Sequence, residues 1–334
     1  MAIRNIRRRP FPVGIFINRE RIKIKLEGFV QGAGFRPFVY RLAWLHRQKG
    51  WVANSASGVT IEIEGSPDHQ TRFIDALKKQ LPPFAEIKSI KISNLPVIGL
   101  TSFEIRISDT DGHRPGFILP DIATCPECIE DIFNNSSRFY RYPFTSCCYC
   151  GPRYSIMQDP PYDRSRTGMA KFKHCPSCLQ DYINPENRRF HAQTIACSRC
   201  GPQLFLQDCS GSIISDGEKA LTDAVQLLRS GKILAVKGIG GYQLLTDARS
   251  NNTILRLRQQ KHRLKKPFAL MVPDLNAAHN LCFVDRQEHI ALTSPAAPIV
   301  LLKQRPDASI ADEIAPGLSL LGIMLPYSPL HHLL

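Results

Sequence analysis

The chain has 334 residues, 43% hydrophobic and 22% charged, which is ordinary for a globular protein. That length allows two or three cores, since single cores rarely grow past about 250–300 residues. No apolar run approaches the ~18–20 residues that cross a bilayer, and the basic cluster Arg7 to Arg9 precedes a stretch too broken for a signal peptide, so a cytoplasmic protein without a membrane partner is expected. The net charge of +14 is unevenly spread. Residues 1–25 hold eight Lys and Arg against one Glu, residues 255–266 hold six and no acid, and residues 125–200 hold ten against seven acids. A nucleic-acid-reading module would carry the excess itself, so the charge favours phosphorylated small molecules over polynucleotides.

In chain order, a basic segment (1–19) precedes the first domain (20–109). IKIKLEG (22–28) alternates apolar and polar as a half-buried strand does, and a helical spacing of apolar residues follows from Phe38 to Leu45. GWVANSASGVTIEIEG predicts a hairpin, residues 68–81 a helix, and the stretches near 86–94 and 102–107 two more strands. The order βαββαβ within about 90 residues is that of a ferredoxin-like sandwich. Between the first strand and helix lies GFVQGAGFRPF (28–38). Its glycines fit a plain tight turn, but also a cradle of backbone N–H groups at a helix N-terminus, with Arg36 as a bidentate cation. A parallel pairing of strands 1 and 3 is expected to bring Asn54, at the end of the hairpin's first strand, beside that loop.

GFVQGAGFR together with GWVANSASG resembles the acylphosphatase family, with Ala33 where valine is usual. The resemblance implies that Arg36 and the loop Gln31, Gly32, Ala33, Gly34 and Phe35 bind a phosphate, and that Asn54 orients the attacking water.

The next segment (110–209) carries four Cys-x-x-Cys pairs: Cys125/Cys128, Cys147/Cys150, Cys175/Cys178 and Cys197/Cys200. Residues 125–152 and 175–202 match at ten of 28 positions, an internal duplication. Each unit reads C-x2-C-x18-C-x2-C, the spacing of a four-thiolate zinc site, and a site of four cysteines leaves no open position for catalysis. Two structural zinc ions are expected, each pair of knuckles most simply serving its own repeat. Cys148 is out of register and is read as a bystander; Cys209 and Cys282 are read as buried or inert.

From about 217 the pattern is helix, strand (ILAVKG), glycine turn (GIGGYQLL), helix, basic loop (KHRLKKPF) and strand, within a domain assigned to 210–334. The loop is either a solvated basic face or a clamp for a nucleotide triphosphate. No Walker A motif occurs. Lys237 to Leu244 with Lys261, Arg263, Lys266 and Pro267 resembles the YrdC/Sua5 family, which implies that Lys237, Lys261, Arg263 and Lys266 contact ATP, with its Mg2+, as a substrate.

An acylphosphatase-like domain, a duplicated four-cysteine module and a YrdC-like domain stand in the order of the HypF family, carbamoyltransferases of nickel–iron hydrogenase maturation. That resemblance implies an α+β multidomain protein that hydrolyses carbamoyl phosphate, converts the carbamate to carbamoyl adenylate, and passes the carbamoyl group to the C-terminal cysteine of HypE. It also implies that the chain stops inside the YrdC-like domain, before a Ser-x-Asn motif and a transferase domain. Two other classes fit less of the sequence: a zinc-ribbon nucleic-acid-binding protein, and a non-catalytic fragment held together by its zinc.

Overall fold

The computed structural model describes residues 19–55, 57–108 and 119–334. The basic cluster at Arg7 to Arg9 and the boundary expected at 109/110 lie outside them.

The first unit is built from β1 (Glu20–Phe29), α1 (Phe35–Leu45), β2 (Lys49–Ser55), β3 (Gly58–Gly65), α2 (Pro67–Lys79), β4 (Glu86–Leu95) and β5 (Phe103–Ile105). The sheet order is β4-β1-β3-β2-β5. The alternation in β1 turns Ile22, Ile24 and Leu26 inward against Val39 and Leu42 of α1 and Phe73 and Leu77 of α2. Each such side chain contributes about 1.5–3 kcal/mol by leaving water, so this core holds the glycine loop's two flanking elements rigidly.

One expectation is corrected here: β1 and β3 are antiparallel. The crossover through α1 sends β2 in the same direction as β1 but leaves a gap between them. The hairpin then returns β3 into that gap, antiparallel to both neighbours. Asn54 still arrives beside the loop, because Val59 of β3 pairs with Leu26 on one side and Asn54 on the other.

The duplicated segment has little regular structure beyond α3 (Pro126–Phe133) and α4 (Pro176–Ile183), each starting just after a cysteine with proline in its first turn. The backbone repeats as the sequence does. Arg141 and His191, fifty residues apart, both take a left-handed conformation (φ 52° and 54°). Their amides donate to Ile132 and Tyr182, again fifty apart, at 2.9 and 2.8 Å.

The last unit comprises β6 (Phe205–Gln207), β7 (Ile213–Asp216), α5 (Gly217–Arg229), β8 (Leu234–Gly238), β9 (Gly241–Leu245), α6 (Asn251–Gln260), β10 (Ala269–Met271), α7 (Leu275–Leu281), β11 (Cys282–Phe283), α8 (Arg286–Leu292), β12 (Val300–Gln304), β13 (Leu320–Met324) and α9 (Pro329–Leu333). A mixed sheet β10-β13-β12-β11 covers a core that includes Leu270, Leu302, Leu321 and Ile323. The stretch expected as a glycine turn, GIGGYQLL, is the turn and second strand of a hairpin, β9 pairing with β8 from Leu234↔Leu245 to Gly238↔Gly241, and the helix expected after it is α6. Gly240 and Gly241 supply the positive φ of the hairpin's tight turn (84° and 157°), and the Tyr-Gln-Leu-Leu that follows alternates as a strand. No helix among the described residues is long and apolar enough to cross a membrane.

Candidate functional site

The glycine loop folds as an anion cradle requires. Gly32 and Gly34 take φ of 79° and 72°, and α1 begins immediately after, with Phe35 and Arg36 in its first turn. The N–H groups of a helix's first turn have no intrahelical partner and carry the positive end of the helix dipole. Arg36 is itself buried, 8% exposed, so its charge acts in a poorly screened environment. Gln31 braces the loop by donating from Nε2 to the carbonyls of Ser55 (2.7 Å) and Gly58 (2.8 Å) across the β2–β3 hairpin.

The duplicated segment forms the cradle's far wall. A side chain at Gly34 would meet the Tyr149 ring at 2.8 Å, and one at Gly32 would meet Cδ of Arg153 at 3.0 Å. Arg153 is a buried pin: Nε donates to the Gly32 carbonyl (2.5 Å), Nη2 to Cys148 (2.8 Å), and Nη1 to Cys150 (2.9 Å) and Pro152 (3.0 Å). Gly32, Gly34, Phe35, Arg36, Asn54, Arg153, Tyr162 and His191 thus share one cavity, of about 30 Å³. At its edge Arg36 pairs with Asp163 (Nη1–Oδ1 2.6 Å). Arg36 Nη2 and Asn54 Nδ2 both donate, at 3.3 Å, to the Tyr162 carbonyl. Asn54 Oδ1 is buried with no partner among the described residues. Burial, and next the Arg36 charge, push the His191 imidazole down to about 4, so it is neutral at physiological pH.

Each four-cysteine unit closes on itself. Sγ–Sγ distances are 3.7 Å for Cys125–Cys147 and Cys147–Cys150 and 3.5 Å for Cys128–Cys150. In the second unit they are 3.8 Å for Cys175–Cys197 and Cys197–Cys200 and 3.6 Å for Cys178–Cys200. A tetrahedron with Zn–S bonds of about 2.3 Å has edges of about 3.8 Å, so both sets of thiols fit a zinc ion. Cys148 stays outside the first cluster, and its Sγ donates to the Phe190 carbonyl at 2.8 Å. Cys282 is buried and Cys209 exposed. Three of this module's basic residues are spent on carboxylates within it: Arg138 pairs with Asp181, while Arg188 and Arg189 pair with Asp131. The spacing of the cysteines did not point to these arginines and aspartates, although Asp131/Asp181 and Arg138/Arg188 are among the positions identical in both repeats.

Of the four basic residues expected at a nucleotide, two line the 1450 Å³ cleft of the last unit, Lys261 and Arg263. Lys237 stands behind Tyr242, a cleft residue, with Nζ 4.9 Å from the ring centroid. Lys266 is not among the lining residues; its carbonyl accepts from Arg258 Nη1 at 3.1 Å, one of three bonds by which buried Arg258 shapes the basic loop. His331 and His332 also line this cleft, each with Nε2 buried and unpartnered among the described residues.

A ferredoxin-like domain with an arginine and amide cradle, walled by a duplicated four-cysteine module, defines an acylphosphatase-type domain set in a larger assembly. Comparison with known families agrees. Residues 22–105 match the acylphosphatase family, 124–157 and 174–207 the HypF finger, and 226–334 the Sua5/YciO/YrdC family, described as telomere recombination. An acylphosphatase of Moorella thermoacetica is 38% identical over 89 residues, which are 26% of this chain and 95% of that protein. The carbamoyltransferase HypF of Synechocystis is 48% identical over 313 residues, 94% of this chain and 41% of that protein. A crystal structure of full-length HypF in the phosphate- and nucleotide-bound form matches with a TM-score of 0.90 at 38% identity, over 96% of this chain and 42% of that one. Over nearly its whole length the chain is thus similar to HypF proteins. It spans about two fifths of the length of the curated relatives it matches.

Proposed function

We propose that this chain supplies the first chemistry of a carbamoyltransferase that matures nickel–iron hydrogenases: hydrolysis of carbamoyl phosphate at the Arg36 site. The backbone N–H groups from Gln31 to Phe35 and the Arg36 guanidinium hold the phosphoryl oxygens and offset the charge that builds on them in the transition state. Water, held by Asn54, attacks phosphorus; the bond from phosphorus to the carbamoyl oxygen breaks, and carbamate leaves with the electron pair. The observation that carries this reading is the convergence of Arg36 and Asn54 on one oxygen, with Asn54 Oδ1 still unpartnered and able to accept a hydrogen bond from the attacking water, whose proton leaves on the phosphate. Positioning and charge stabilisation suffice, and no covalent intermediate is required.

The carbamate would then serve the cleft of the YrdC-like unit, where Lys261 and Arg263, with Lys237 and Lys266 nearby, would hold ATP and its Mg2+ for formation of carbamoyl adenylate. HypE would be the eventual acceptor of the carbamoyl group. The two zinc ions have a structural role: they fix the knuckles from which Arg153 reaches Gly32.

The test is phosphate release from carbamoyl phosphate by the purified chain. Arg36→Ala should lower the rate by roughly 10²–10³-fold, the usual cost of a lost oxyanion donor. Equal inertness of wild type and variant at millimolar substrate would sink the reading.

A further inference from the structure

The segment joining the two zinc repeats does more than wall the cradle. Its Tyr162–Asp163 corner puts two oxygens on the Arg36 fork: Asp163 Oδ1 on Nη1 at 2.6 Å and the Tyr162 carbonyl on Nη2 at 3.3 Å. Ser108 Oγ lies near Nη1 at 3.5 Å, and Asn54 Nδ2 shares the Tyr162 carbonyl. A guanidinium gripping two oxygens side by side is the arrangement it takes with a phosphate. The corner is built to be there. Tyr162 N donates to Gln31 Oε1 at 3.1 Å, Tyr162 Oη to the Pro152 carbonyl at 3.2 Å, and Arg164 to the carbonyls of Gln193, Ile195 and Phe172 at 2.7–2.9 Å. The remaining cavity, about 30 Å³, suits a water or two, and the fork of Arg36 that a phosphate would take is already held by the corner.

We infer that Asp163 is a specificity-determining residue, an internal carboxylate that occupies Arg36 until a phosphate dianion displaces it. The inference rests on the phosphate-site reading above. Being tethered, Asp163 is present at a high effective concentration, so a free monoanionic carboxylate gains nothing by taking its place. A dianion that also engages the loop N–H groups does gain. The same competition acts after hydrolysis: carbamate is a monoanionic carboxylate, and Asp163 returns to the guanidinium in its stead.

The test titrates the full chain calorimetrically with inorganic phosphate at pH 8, then with formate as a monoanionic probe, for wild type, Asp163→Ala and Asp163→Asn. Two zinc ions per chain serve as the check on folding, and the near-isosteric asparagine covers the case in which alanine collapses the corner. Removing the carboxylate should tighten phosphate roughly ten-fold and let formate compete with it where wild type ignores formate. Phosphate affinity that is unchanged or weaker in both variants overturns the proposal, as does formate competing equally well in wild type. Since the titration needs no turnover, an inert protein whose phosphate binding still depends on Arg36 would refute the hydrolysis reading and leave this one standing.

Discussion

Arg188, in the second zinc repeat, donates from Nη1 to Sγ of Cys128 in the first, at 3.0 Å. Its counterpart fifty residues earlier, Arg138, returns the contact to Cys178 at 3.2 Å. Each guanidinium also holds the aspartate of the opposite repeat, Arg188 that of Asp131 and Arg138 that of Asp181. Four thiolates around a divalent ion carry a net negative charge, and here each such charge is offset by an arginine from the other repeat. The two sites are therefore each other's outer shell.

Arg188→Ala should loosen zinc at Cys125/Cys128/Cys147/Cys150 and spare the other cluster, with Arg138→Ala doing the reverse. A hydrogen bond to a charged group contributes about 2 kcal/mol, so release from the affected cluster should quicken roughly thirty-fold. A chelating dye following zinc release would show one fast and one slow ion per chain. Uniform release would contradict the crossed arrangement.

Cys128→Ala and Cys148→Ala should part company in metal content. The first removes a cluster ligand and should leave one zinc per chain; the second removes a thiol bonded only to the Phe190 carbonyl and should leave two. Elemental analysis decides. Alkylation of the native protein should mark Cys209, the one cysteine among the described residues that is exposed.

Arg153→Met should preserve the fold's outline but cost stability. The substitution keeps the stem and leaves four carbonyls without their donor, at Gly32, Cys148, Cys150 and Pro152. With unmet buried acceptors costing about 1 kcal/mol or more each, a loss of roughly 3–4 kcal/mol is expected by denaturant titration. A loss below 1 kcal/mol would mean that the pin is idle.

Stability should fall on acidification in a way that depends on His191. Burial, then the neighbouring Arg36 charge, lower its folded pKa from 6.5 to about 4. Below pH 6.5 the unfolded chain binds a proton that the folded chain refuses, so stability is full above 6.5 and is lost as pH drops toward 4. The loss from this group reaches about 3 kcal/mol at the lower limit. His191→Asn should flatten the difference in Tm between pH 7 and pH 5. Zinc loss acts on both proteins and cancels in the comparison; parallel profiles would count against the assignment.

The ferredoxin-like order, both cysteine clusters and the glycine loop were legible in the sequence because each rests on short-range signals: alternation, fixed spacing, glycine where φ must be positive. The duplication made one site per repeat the simplest arrangement but left interleaved ligation open; the structure groups Cys125 with Cys128, Cys147 and Cys150. What could not be read was anything made by contact between units. Asp163 looks like an ordinary loop acid, and nothing local says that it faces Arg36 across 127 positions of chain. Arg138 and Arg188 came closer to visibility, since they repeat exactly, but repetition of an arginine does not reveal that it points at the other copy's sulfur. The antiparallel placement of β3 against β1 likewise follows from the crossover, a property of the whole sheet. The strand β9 after Gly240 is not visible in the sequence because Tyr242 to Leu245 is too short a run to separate from the glycine turn before it.

The bond from Arg153 to Gly32 ties the cradle to residues more than a hundred positions later in the chain. Translation delivers the N-terminal domain first, at about 5–20 residues per second. The ferredoxin-like core can close as soon as β5 has emerged, whereas the glycine loop waits several more seconds for its far wall of Arg153, Tyr162 and the cysteine knuckles that hold them. During biosynthesis the site is thus assembled late on a domain that folds early. A chain still on the ribosome, or one starved of zinc, carries the domain before it carries the finished pocket.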